Sequence, residues 1–366
     1  MESISDILGR FSFSGEFVDC KPFGDGHINN TFIATYNDKG EERKYVLQKI
    51  NTNVFKYVDR LMENIFSVTS YLQKEIRKTG GDEQRETLGF LKTVDGRQYY
   101  KDAGGNCYRV YTFVANSVSY NSVDNAELFK QSGIAFGRFQ RLLADFPADT
   151  LYETLPEFHN TKYRYDNEFL PAVSNDLSGR KNTCQNEIEF VTEREKYCAR
   201  LVDMIASGEL PLRVTHNDTK LNNVLFDIDS GKAFCVIDLD TVMPGLALYD
   251  FGDSIRFGAN TADEDEKDIT KVSIDLEYFK AYADGFLSQA GASFNQAEID
   301  NLAFSALLMT FECGMRFLTD YLNGDTYFKT AYSEHNLVRA RNQFALVADM
   351  EKHMNEMEAI IADLVK

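Results

Sequence analysis

The hydrophobic pattern separates a strand-rich first third of the chain from a helix-rich remainder. Between residues 16 and 50, apolar and polar residues alternate in the runs EFVDCKPF, INNTFIATY and KYVLQKI, and a period of two is typical of strands with one buried face. Residues 54–78 place their apolar residues at helical spacing instead, and residues 90–114 contain short apolar runs separated by glycine-containing turns. We therefore expect residues 1–115 to form an N-terminal lobe with an antiparallel sheet and one helix.

From residue 125 onward, apolar residues recur at helical spacing. The helical segments that this spacing predicts are 125–145, 185–206, 274–290, 297–320 and 334–364. The short apolar runs PLRVTH, NNVLFD and AFCVIDLD interrupt them, and the turn IDSGK joins the last two runs into a predicted hairpin. The small-polar stretch ANSVSYNS, which starts at Ala115, is the predicted hinge. The sequence thus predicts an α+β, bilobal protein whose C-terminal lobe, residues 116–366, is mainly helical.

Composition and charge narrow the class of protein. The chain has 366 residues, of which 43% are apolar, and a net charge of -18. Such an apolar content is typical of globular proteins, and the negative charge disfavours a broad surface for nucleic acid or anionic membranes. The N-terminus MESISDILGRFSF lacks the apolar core of a signal peptide, and no run suggests a membrane span. Six scattered cysteines form no C-x-x-C pair, so we expect reduced thiols in a cytoplasmic protein without a zinc site.

The densest group of polar residues lies in VTHNDTKLNNVLFD, residues 214–227. His216, Asp218 and Asn223 have the spacing H-x-D-x-x-x-x-N, which is that of the catalytic loop of kinase-like enzymes. In such a loop, the aspartate accepts the proton of the substrate hydroxyl and the asparagine binds magnesium. We therefore predict that Asp218 is the base, that Asn223 is a metal ligand and that His216 braces the loop. The alternative is a polar surface turn between strands.

A second acidic group follows the predicted hairpin. Asp238 leaves an apolar strand 20 residues after Asp218, so a returning hairpin could bring it to the same cleft as a second magnesium ligand. Asp240 is predicted to be either a further metal contact or an acceptor for a substrate hydroxyl. The literal DFG motif lies past a Met-Pro-Gly break. We expect its Asp250, and Asp253 after it, to brace the catalytic loop from a helix start.

The candidate phosphate loop is FGDGHINNTF, in which Gly24 and Gly26 lie between two predicted strands. Glycines allow a turn to approach phosphates closely. The third glycine of a G-x-G-x-x-G loop is missing because Asn29 occupies its position, and no G-K-[ST] follows as in a Walker loop. A plain hairpin turn is therefore the alternative.

The candidate cation for the nucleotide phosphates is Lys49 in YVLQKIN. In a strand it shares a face with Leu47, which we expect to contact the nucleotide base. Its expected helix partner is Glu63, one of several acids in residues 54–78. An exposed strand lysine is the alternative.

The combination of motifs resembles the aminoglycoside phosphotransferase/choline kinase-like superfamily, and within it the N-acetylhexosamine 1-kinase group. The resemblance is carried by GDGHINNTF, YVLQKIN, HNDTKLNNVLFD, VIDLDTVMPGLALYDFGDSIR and CGMRFLTDYLNGDTYF, which lie between residues 23 and 328. It implies a protein-kinase-like bilobal fold, ATP and Mg²⁺, and transfer of the γ-phosphoryl group to the anomeric hydroxyl of N-acetylglucosamine or N-acetylgalactosamine.

The same resemblance implies roles for individual residues. By motif, Asp218 is the base and Asn223 and Asp238 are the metal ligands. His27, after the second glycine, and Arg316 and Tyr327, in the late helical region, are the implied sugar contacts. The alternatives are a turn histidine, a solvated helix arginine and a core tyrosine. Other polar residues are less specific. The segment PEFHNTKYRY, with His159 and Arg164, is a further candidate for the acceptor region, although a loop histidine with satisfied hydrogen bonds is the favoured alternative for His159. TADEDEKD is interpreted as a solvated acidic loop or helix start.

Two alternatives keep the same sequence features. A kinase of the same fold could act on choline or another amino alcohol, homoserine or an aminoglycoside, and a cationic acceptor would favour acids or an aromatic cage around it. A pseudokinase would bind a ligand without chemistry, but Asp218, Asn223 and Asp238 are all present. We expect a small-molecule sugar substrate, no nucleic acid or membrane partner, and a monomer or weak dimer.

Overall fold

The computed structural model describes residues 2–24 and 29–366. The chain forms two compact units, and each is described separately. The first unit comprises Met1–Val118, Asp145–Leu155 and Leu225–Met243; the second comprises Ser119–Ala144, Pro156–Val224 and Pro244–Lys366. The first unit thus extends slightly beyond the predicted boundary at residue 115 and takes in two segments that the prediction placed in the C-terminal lobe.

Among the described residues, the regular elements are the following. The strands are β1 (Glu16–Pro22), β2 (Asn30–Asp38), β3 (Glu41–Ile50), β4 (Phe90–Leu91), β5 (Tyr100–Lys101), β6 (Cys107–Thr112), β7 (Ser117–Val118), β8 (Arg213–Thr215), β9 (Val224–Asp227), β10 (Ala233–Val236) and β11 (Met243–Gly245). The helices are α1 (Ile4–Leu8), α2 (Val58–Lys78), α3 (Ala126–Leu142), α4 (Thr161–Arg164), α5 (Leu170–Asn175), α6 (Gln185–Glu193), α7 (Glu195–Ser207), α8 (Ala247–Gly258), α9 (Leu276–Ala290), α10 (Gln296–Asp300), α11 (Leu302–Leu322) and α12 (His335–Leu364).

The first unit is built on an antiparallel sheet with the strand order β1-β2-β3-β6-β4, and β5 also pairs with β6. One face of this sheet is closed by the N-terminal segment. The buried cluster on this face combines Leu47, Tyr108 and Val110 of the sheet with Ile7, Leu8 and Phe11. Because successive side chains of a strand point to opposite faces, Gln48 and its partner Arg109 lie on the other face.

A smaller sheet explains why a late segment belongs to the first unit. Its strand order is β10-β9-β7, and β9 pairs with β7 in the antiparallel register Ser117↔Asp227 and Val118↔Phe226. The β9–β10 hairpin therefore packs with the segment that was predicted to be a hinge. Pairing between strands so far apart in the chain is a feature that local sequence patterns do not reveal.

The second unit has a helical core in which two helix pairs approach closely. Helix α3 packs against α9, and α8 packs against α11. A Cβ atom on Gly252 of α8 would lie 2.3 Å from the carbonyl oxygen of Ser305 in α11. The glycine of the DFG sequence therefore permits a helix–helix contact that no other residue would allow.

Helix α11 is long and apolar enough to pass a simple test for a membrane span, which differs from the expectation that no run suggests one. Its most apolar window has a mean hydropathy of 1.3, and 83% of that window is buried inside the structure. Burial of this kind is typical of the central helix of a folded core.

The predicted elements agree with the structure in type and in order. The antiparallel sheet, the hairpin and the predicted helices are confirmed, as is the broad class of an antiparallel sheet combined with a helical bulk. Two predicted helices are each split. Residues 185–206 break at Arg194, and residues 297–320 break at Asn301. All six cysteines are free thiols, as expected.

Candidate active site

Asp250 of helix α8 accepts hydrogen bonds from the backbone of the loop that follows β8. The backbone N–H of His216 donates to both carboxylate oxygens, at 3.1 and 2.9 Å, and the N–H of Asn217 donates to Oδ1 at 2.8 Å. Gln140 adds a third donor, from Nε2 to Oδ2 at 2.7 Å. Asp250 is fully buried, and burial raises its pKa against the effect of these donors. The predicted bracing role of the DFG aspartate is confirmed by these contacts.

Asn217 occupies the turn of this loop. Its backbone has a φ of 63°, in the left-handed region that asparagine tolerates better than most residues. This conformation allows consecutive N–H groups to converge on one carboxylate. Asn217 therefore shapes the loop directly before Asp218.

Asp253 holds the next part of the loop. Its Oδ2 accepts the backbone N–H of Thr219 at 3.1 Å, and the side chain of Ser254 donates to the carbonyl of Thr219 at 2.9 Å. Arg256 donates from Nε to Oδ1 of Asp253 at 3.1 Å. Burial opposes ionisation of Asp253, but Arg256 and Lys220 outweigh it and lower the pKa. Helix α8 thus fixes the loop at two carboxylates one turn apart.

Asp218 lies above this scaffold with a partly exposed carboxylate. Its Oδ1 pairs with Lys220 Nζ at 2.8 Å, and 28% of its side-chain surface is accessible. The amide nitrogen of Asn223 donates to the Asp218 carbonyl at 2.8 Å and to Oδ2 at 3.2 Å. Burial opposes the positive charge of Lys220, but Asp218 more than compensates and raises the lysine pKa. The carboxylate is therefore both oriented and accessible, as a base must be.

His216 supports the loop from inside the second unit. Its ring is buried, with an edge contact to Phe136 at a centroid distance of 5.5 Å. The backbone N–H of Asp218 donates to His216 Nδ1 at 3.3 Å. The predicted brace is thus a histidine that accepts a hydrogen bond from the residue it supports.

The two predicted metal ligands offer oxygen atoms of the kind that magnesium prefers. Because the amide nitrogen of Asn223 faces Asp218, its Oδ1 is the atom left for a cation. Asp238 follows β10 with a left-handed backbone, φ 59° and ψ 63°, and such conformations in a non-glycine residue are concentrated at functional positions. In the described part of the chain, no group of three or more His, Cys, Asp or Glu side chains is arranged to hold a metal. Asn223 and Asp238 therefore remain predicted magnesium ligands.

Asp240 lies in a buried polar network of the first unit. Its Oδ1 pairs with Arg109 Nη1, and its Oδ2 accepts from Asn29 Nδ2 at 2.7 Å. Arg109 also donates to Gln48 Oε1 from Nε and Nη2, at 3.0 and 2.7 Å. The structure thus gives Asp240 protein partners on both oxygens, and its predicted contact with metal or substrate remains a prediction.

The sheet register changes the interpretation of Lys49. Lys49 pairs with Asn30 and Tyr108 and therefore lies on the face of Leu47, as predicted. Leu47, however, is 1% exposed and packs in the cluster closed by α1, so the expected contact of Leu47 with a nucleotide base is wrong. Arg109, on the opposite face of the sheet, is the cation that pairs with Asp240. The register thus argues against Lys49 as the partner of nucleotide phosphates.

On helix α2, the predicted partner of Lys49 is exposed, and the residue after it is the one that makes buried contacts. Glu63 is exposed, and among the described residues no ion pair joins it to Lys49. The next residue, Asn64, is 1% exposed and donates to the carbonyls of Tyr152 and Val242 at 2.7 and 3.0 Å. It also accepts the N–H of Tyr152 at 2.9 Å. Asn64 thus fastens α2 to the segment that begins at Asp238.

A cavity of about 410 Å³ opens on the face of the sheet opposite the buried cluster. Its walls include Ile33, Lys44, Phe23 and Phe113. The rings of Phe23 and Phe113 meet edge to face at 6.0 Å. Gly24, with a φ of 72°, follows Phe23 directly, whereas the predicted Gly26 and His27 lie outside the described residues.

In the second unit, Arg316 of helix α11 is surrounded by aromatic rings. Its guanidinium carbon lies 5.2 Å from the ring centroid of Phe158, 5.8 Å from that of Tyr327 and 5.6 Å from that of Phe328. Burial opposes the charge, but Tyr327 and Glu312 raise the pKa of the guanidinium. The structure therefore brings the predicted Arg316 and Tyr327 together, with 69% of Tyr327 exposed.

A buried carboxylate positions that aromatic segment. Asp320 is 4% exposed and accepts the backbone N–H groups of Thr326, Tyr327 and Phe328 at 2.8 to 2.9 Å. Asn336 of helix α12 donates to its Oδ2 at 2.9 Å. One carboxylate therefore fixes the turn that presents Tyr327.

His159 and Arg164 lie beside Glu312, one helical turn before Arg316. His159 Nδ1 is 2.8 Å from Glu312 Oε1, and Thr161 donates to Oε2 at 2.6 Å. Arg164 Nε is 3.9 Å from Glu312 Oε1. Burial opposes ionisation of Glu312, yet His159 and the nearby arginines lower its pKa. His159 and Arg164 thus lie beside a carboxylate one turn from Arg316, and their place near an acceptor site remains a prediction.

Comparison with known proteins identifies the family. The sequence model of the phosphotransferase enzyme family, APH, matches residues 19–286, which is more than half of the chain. The chain belongs to the phosphotransferase enzyme family. The chemistry of this family, transfer of a phosphoryl group to a small molecule, agrees with the motif around Asp218.

Solved structures share the fold of this phosphotransferase at low identity. The microcompartment-associated aminopropanol kinase matches with a TM-score of 0.60 and 15% identity, over 96% of this chain and 97% of that one. Choline kinase from Cryptosporidium parvum matches with a TM-score of 0.58 and 13% identity, over 95% and 93%. Aminoglycoside 2′-phosphotransferase, solved as a GDP complex, matches with a TM-score of 0.54 and 10% identity, over 90% and 93%.

Three positioning residues of this phosphotransferase could not be recognised from the sequence. They are Asn64, Arg109 and Asp320, which are all buried and polar. Arg109 carried a weak signal, since it is a single cation in the otherwise apolar strand CYRVYT. The partners of all three are set by tertiary contacts, so their roles required the structure.

Proposed function

We propose that this phosphotransferase transfers the γ-phosphoryl group of ATP to the anomeric hydroxyl of an N-acetylhexosamine, N-acetylglucosamine or N-acetylgalactosamine, in a Mg²⁺-dependent reaction. Asp218 accepts the proton of the anomeric hydroxyl. The oxygen then forms the new bond to the γ-phosphorus while the bond to the bridging oxygen breaks and ADP leaves. Magnesium supplies neutralisation of phosphate charge, and Asn223 and Asp238 are its proposed ligands.

The observation that carries the proposal of catalysis is the arrangement of Asp218. Its backbone is fixed through Asp250, Asp253 and His216, and its carboxylate is held between Lys220 and Asn223. A carboxylate that is oriented by its surroundings before the substrate arrives needs no reorganisation during proton transfer. A polar surface turn would not need so many buried hydrogen bonds to fix the backbone and carboxylate of one aspartate.

A neutral acceptor is supported by the surroundings of Arg316. Phe158, Tyr327 and Phe328 present the aromatic surfaces on which a quaternary ammonium or amine would be bound, but the guanidinium of Arg316 already lies near them. A second cation would be repelled there. A neutral sugar can instead accept hydrogen bonds from Arg316 and pack against Tyr327.

The proposed nucleotide region is the cavity beside Phe23 and Phe113 in the first unit. A volume of about 410 Å³ lies within the range of small-molecule sites, and two phenyl rings suit a planar base. ATP is the proposed donor from the resemblance to kinases. The GDP complex of the related aminoglycoside 2′-phosphotransferase makes GTP the donor to test beside it.

The decisive experiment is an acceptor screen with a matched blocked substrate. The purified protein, MgATP or MgGTP, and each acceptor are incubated, and nucleoside diphosphate release is measured. The panel contains both N-acetylhexosamines, the methyl glycoside of N-acetylglucosamine, glucose, choline, 1-amino-2-propanol, homoserine and an aminoglycoside. We expect turnover with an N-acetylhexosamine, none with its methyl glycoside, and a sugar 1-phosphate by ³¹P NMR.

The outcomes separate the alternatives. Turnover with only choline or only the amino alcohol would show that the acceptor is cationic rather than a sugar, and the phosphoryl-transfer chemistry of the family would be retained. Phosphorylation of the methyl glycoside would place the phosphate on another hydroxyl. Failure with every acceptor, by folded protein with Mg²⁺ present, would favour a binding protein without catalysis.

A further inference from the structure

Asp240 connects two segments that the proposed function uses separately. Its Oδ2 accepts a hydrogen bond from the side-chain nitrogen of Asn29 at 2.7 Å. Asn29 is the first described residue after Gly24, and Asp240 lies two residues after Asp238. The same Asn29 uses its Oδ1 to accept the backbone N–H of Asn51, just after β3, at 2.9 Å. One side-chain pair therefore joins the residue before β2 to the segment that carries Asp238.

The other side of Asp240 is fixed to the sheet. Its Oδ1 pairs with Arg109 Nη1, and Arg109 donates twice to Gln48 Oε1. Gln48 in turn donates from Nε2 to Thr31 Oγ1 at 3.1 Å. Asp240 and Arg109 are 4% and 2% exposed. A buried network in which each polar group has a partner resists rearrangement, because any broken contact leaves a desolvated group unpaired.

These contacts argue against a direct role of Asp240 as a metal or substrate ligand. A magnesium ion bound to Asp240 would lie within a few ångströms of the Arg109 guanidinium, where two positive charges repel strongly in a medium of low dielectric constant. With 4% of its surface exposed, Asp240 also has little access for a sugar hydroxyl. The ion pair with Arg109 thus disfavours binding of a metal or substrate to this carboxylate, whose other oxygen accepts a hydrogen bond from Asn29.

We propose that Asp240 is a positioning residue, which holds Asn29, directly before the start of β2, against the segment of Asp238. The proposal rests on the proposed function, because its consequence is support of the nucleotide region. Loss of the Asp240–Asn29 contact weakens nucleotide binding. It leaves the magnesium requirement unchanged, since Asp240 does not contact the metal.

The test is a reciprocal exchange of the two side chains. Asp240→Asn leaves Arg109 without its carboxylate, and Asn29→Asp sets two carboxylates against each other. In the double variant, the carboxylate at position 29 can accept a hydrogen bond from the amide at position 240, still accept the N–H of Asn51, and supply the negative charge. Asn29→Ala, which keeps the Arg109–Asp240 pair, shows the loss of the contact without an unpaired charge. Asp229→Asn neutralises an exposed carboxylate that accepts from Asn116 in the same unit, and it is the matched control.

The affinity for MgADP is measured by titration calorimetry, with thermal unfolding to confirm folding. We expect each of the three single variants at positions 29 and 240 to bind MgADP about tenfold more weakly. The double exchange should recover to within about threefold of the parent protein, and the control should bind like the parent. The half-saturating Mg²⁺ concentration for turnover should stay within about twofold in Asn29→Ala and in the double variant.

Three results would overturn the proposal while leaving the proposed function intact. The first is a double variant whose MgADP affinity is no higher than that of the single variant that binds MgADP more weakly. The second is an MgADP affinity of Asn29→Ala equal to that of the parent. The third is a higher half-saturating Mg²⁺ concentration in the double variant. A parent protein that fails to bind MgADP at all contradicts the proposed function itself, and the positioning role with it. The two failures are therefore distinguishable from the behaviour of the parent protein alone.

Discussion

Asn223 donates its side-chain amide to both the carbonyl and the carboxylate of Asp218, at 2.8 and 3.2 Å. A single side chain five residues later therefore fixes the backbone and the rotamer of the candidate base. The arrangement also determines which atom of Asn223 remains for a cation, because the amide nitrogen is directed at Asp218. The spacing between the two residues thus has two physical consequences, orientation of the base and presentation of an oxygen ligand.

We expect Asp218→Asn to lower kcat by between about 100-fold and 10,000-fold, since an amide cannot accept the proton of the acceptor hydroxyl. The substitution preserves shape and the contact with Asn223, so MgADP affinity should change by less than about threefold. Steady-state kinetics with the acceptor found in the screen, together with calorimetry, check both parts.

The control for this loss is Asp203→Asn on helix α7, where the aspartate is exposed. It should retain the parent kcat. Turnover by Asp218→Asn within about tenfold of the parent rate would show that another group accepts the proton, and the assignment of the base would fail.

A second prediction concerns the glycine of the DFG sequence. Gly252→Ala places a Cβ atom 2.3 Å from the carbonyl of Ser305, so helix α8 must move away from α11. We expect a loss of about 2–4 kcal/mol in the free energy of unfolding, together with a lower kcat, because α8 carries Asp250 and Asp253. Urea denaturation monitored by circular dichroism measures the stability.

The matched control is Gly291→Ala at the end of helix α9. There a Cβ atom would meet only Leu287, at 3.7 Å and beyond, and the backbone φ of -53° suits alanine. This variant should be as stable as the parent or slightly more stable. If the two alanine variants had equal stabilities, the close approach of α8 and α11 would not be what requires Gly252.

The sheet register leads to a third prediction, for Lys49. Because its side chain shares the face of Leu47, away from Arg109 and Asp240, Lys49→Met should change the KM for ATP by less than about threefold. A cation paired with nucleotide phosphates would cost considerably more on removal, about tenfold or greater. Kinetics at varied ATP and saturating acceptor decide between them, and a large increase in KM would restore the prediction made from the sequence.

The sequence was sufficient for those features that depend on local order. The period-two runs located the strands of the first unit, and the spacing from His216 to Asn223 indicated the candidate catalytic loop together with its brace. The bracing role of Asp250 followed from its position at a predicted helix start, after the Met-Pro-Gly sequence. Each of these inferences uses residues close in the chain or a motif whose geometry is fixed by its own loop.

The features that could not be predicted depend on contacts between distant segments. The face occupied by Lys49 follows from pairing with β2 and β6 and from coverage by α1, whose packing against the sheet has no local signal. The partners of Asp240, Asn29 and Arg109, are 211 and 131 residues away from it. Isolated polar residues in apolar segments, such as Arg109, mark where such contacts exist but not which residues form them.

The last prediction tests the acceptor side through Arg316. Arg316→Gln removes the guanidinium that lies among Phe158, Tyr327 and Phe328, and with it the charged hydrogen-bond donor proposed to bind the sugar. We expect the KM for the N-acetylhexosamine to rise by about tenfold or more while the KM for ATP stays within about twofold. Arg316→Lys should recover only part of the loss, because an ammonium group lacks the planar fork of arginine.

Arg200→Gln on helix α7 is the control for the loss of a stacked arginine. Arg200 is exposed and its guanidinium carbon lies 4.1 Å from the ring centroid of Phe304, so its removal changes a comparable contact elsewhere in the second unit. Its kinetic constants should equal those of the parent. An Arg316→Gln variant with an unchanged sugar KM would remove Arg316 from the acceptor site, and gain of turnover with choline by that variant would show that the guanidinium excludes cationic acceptors.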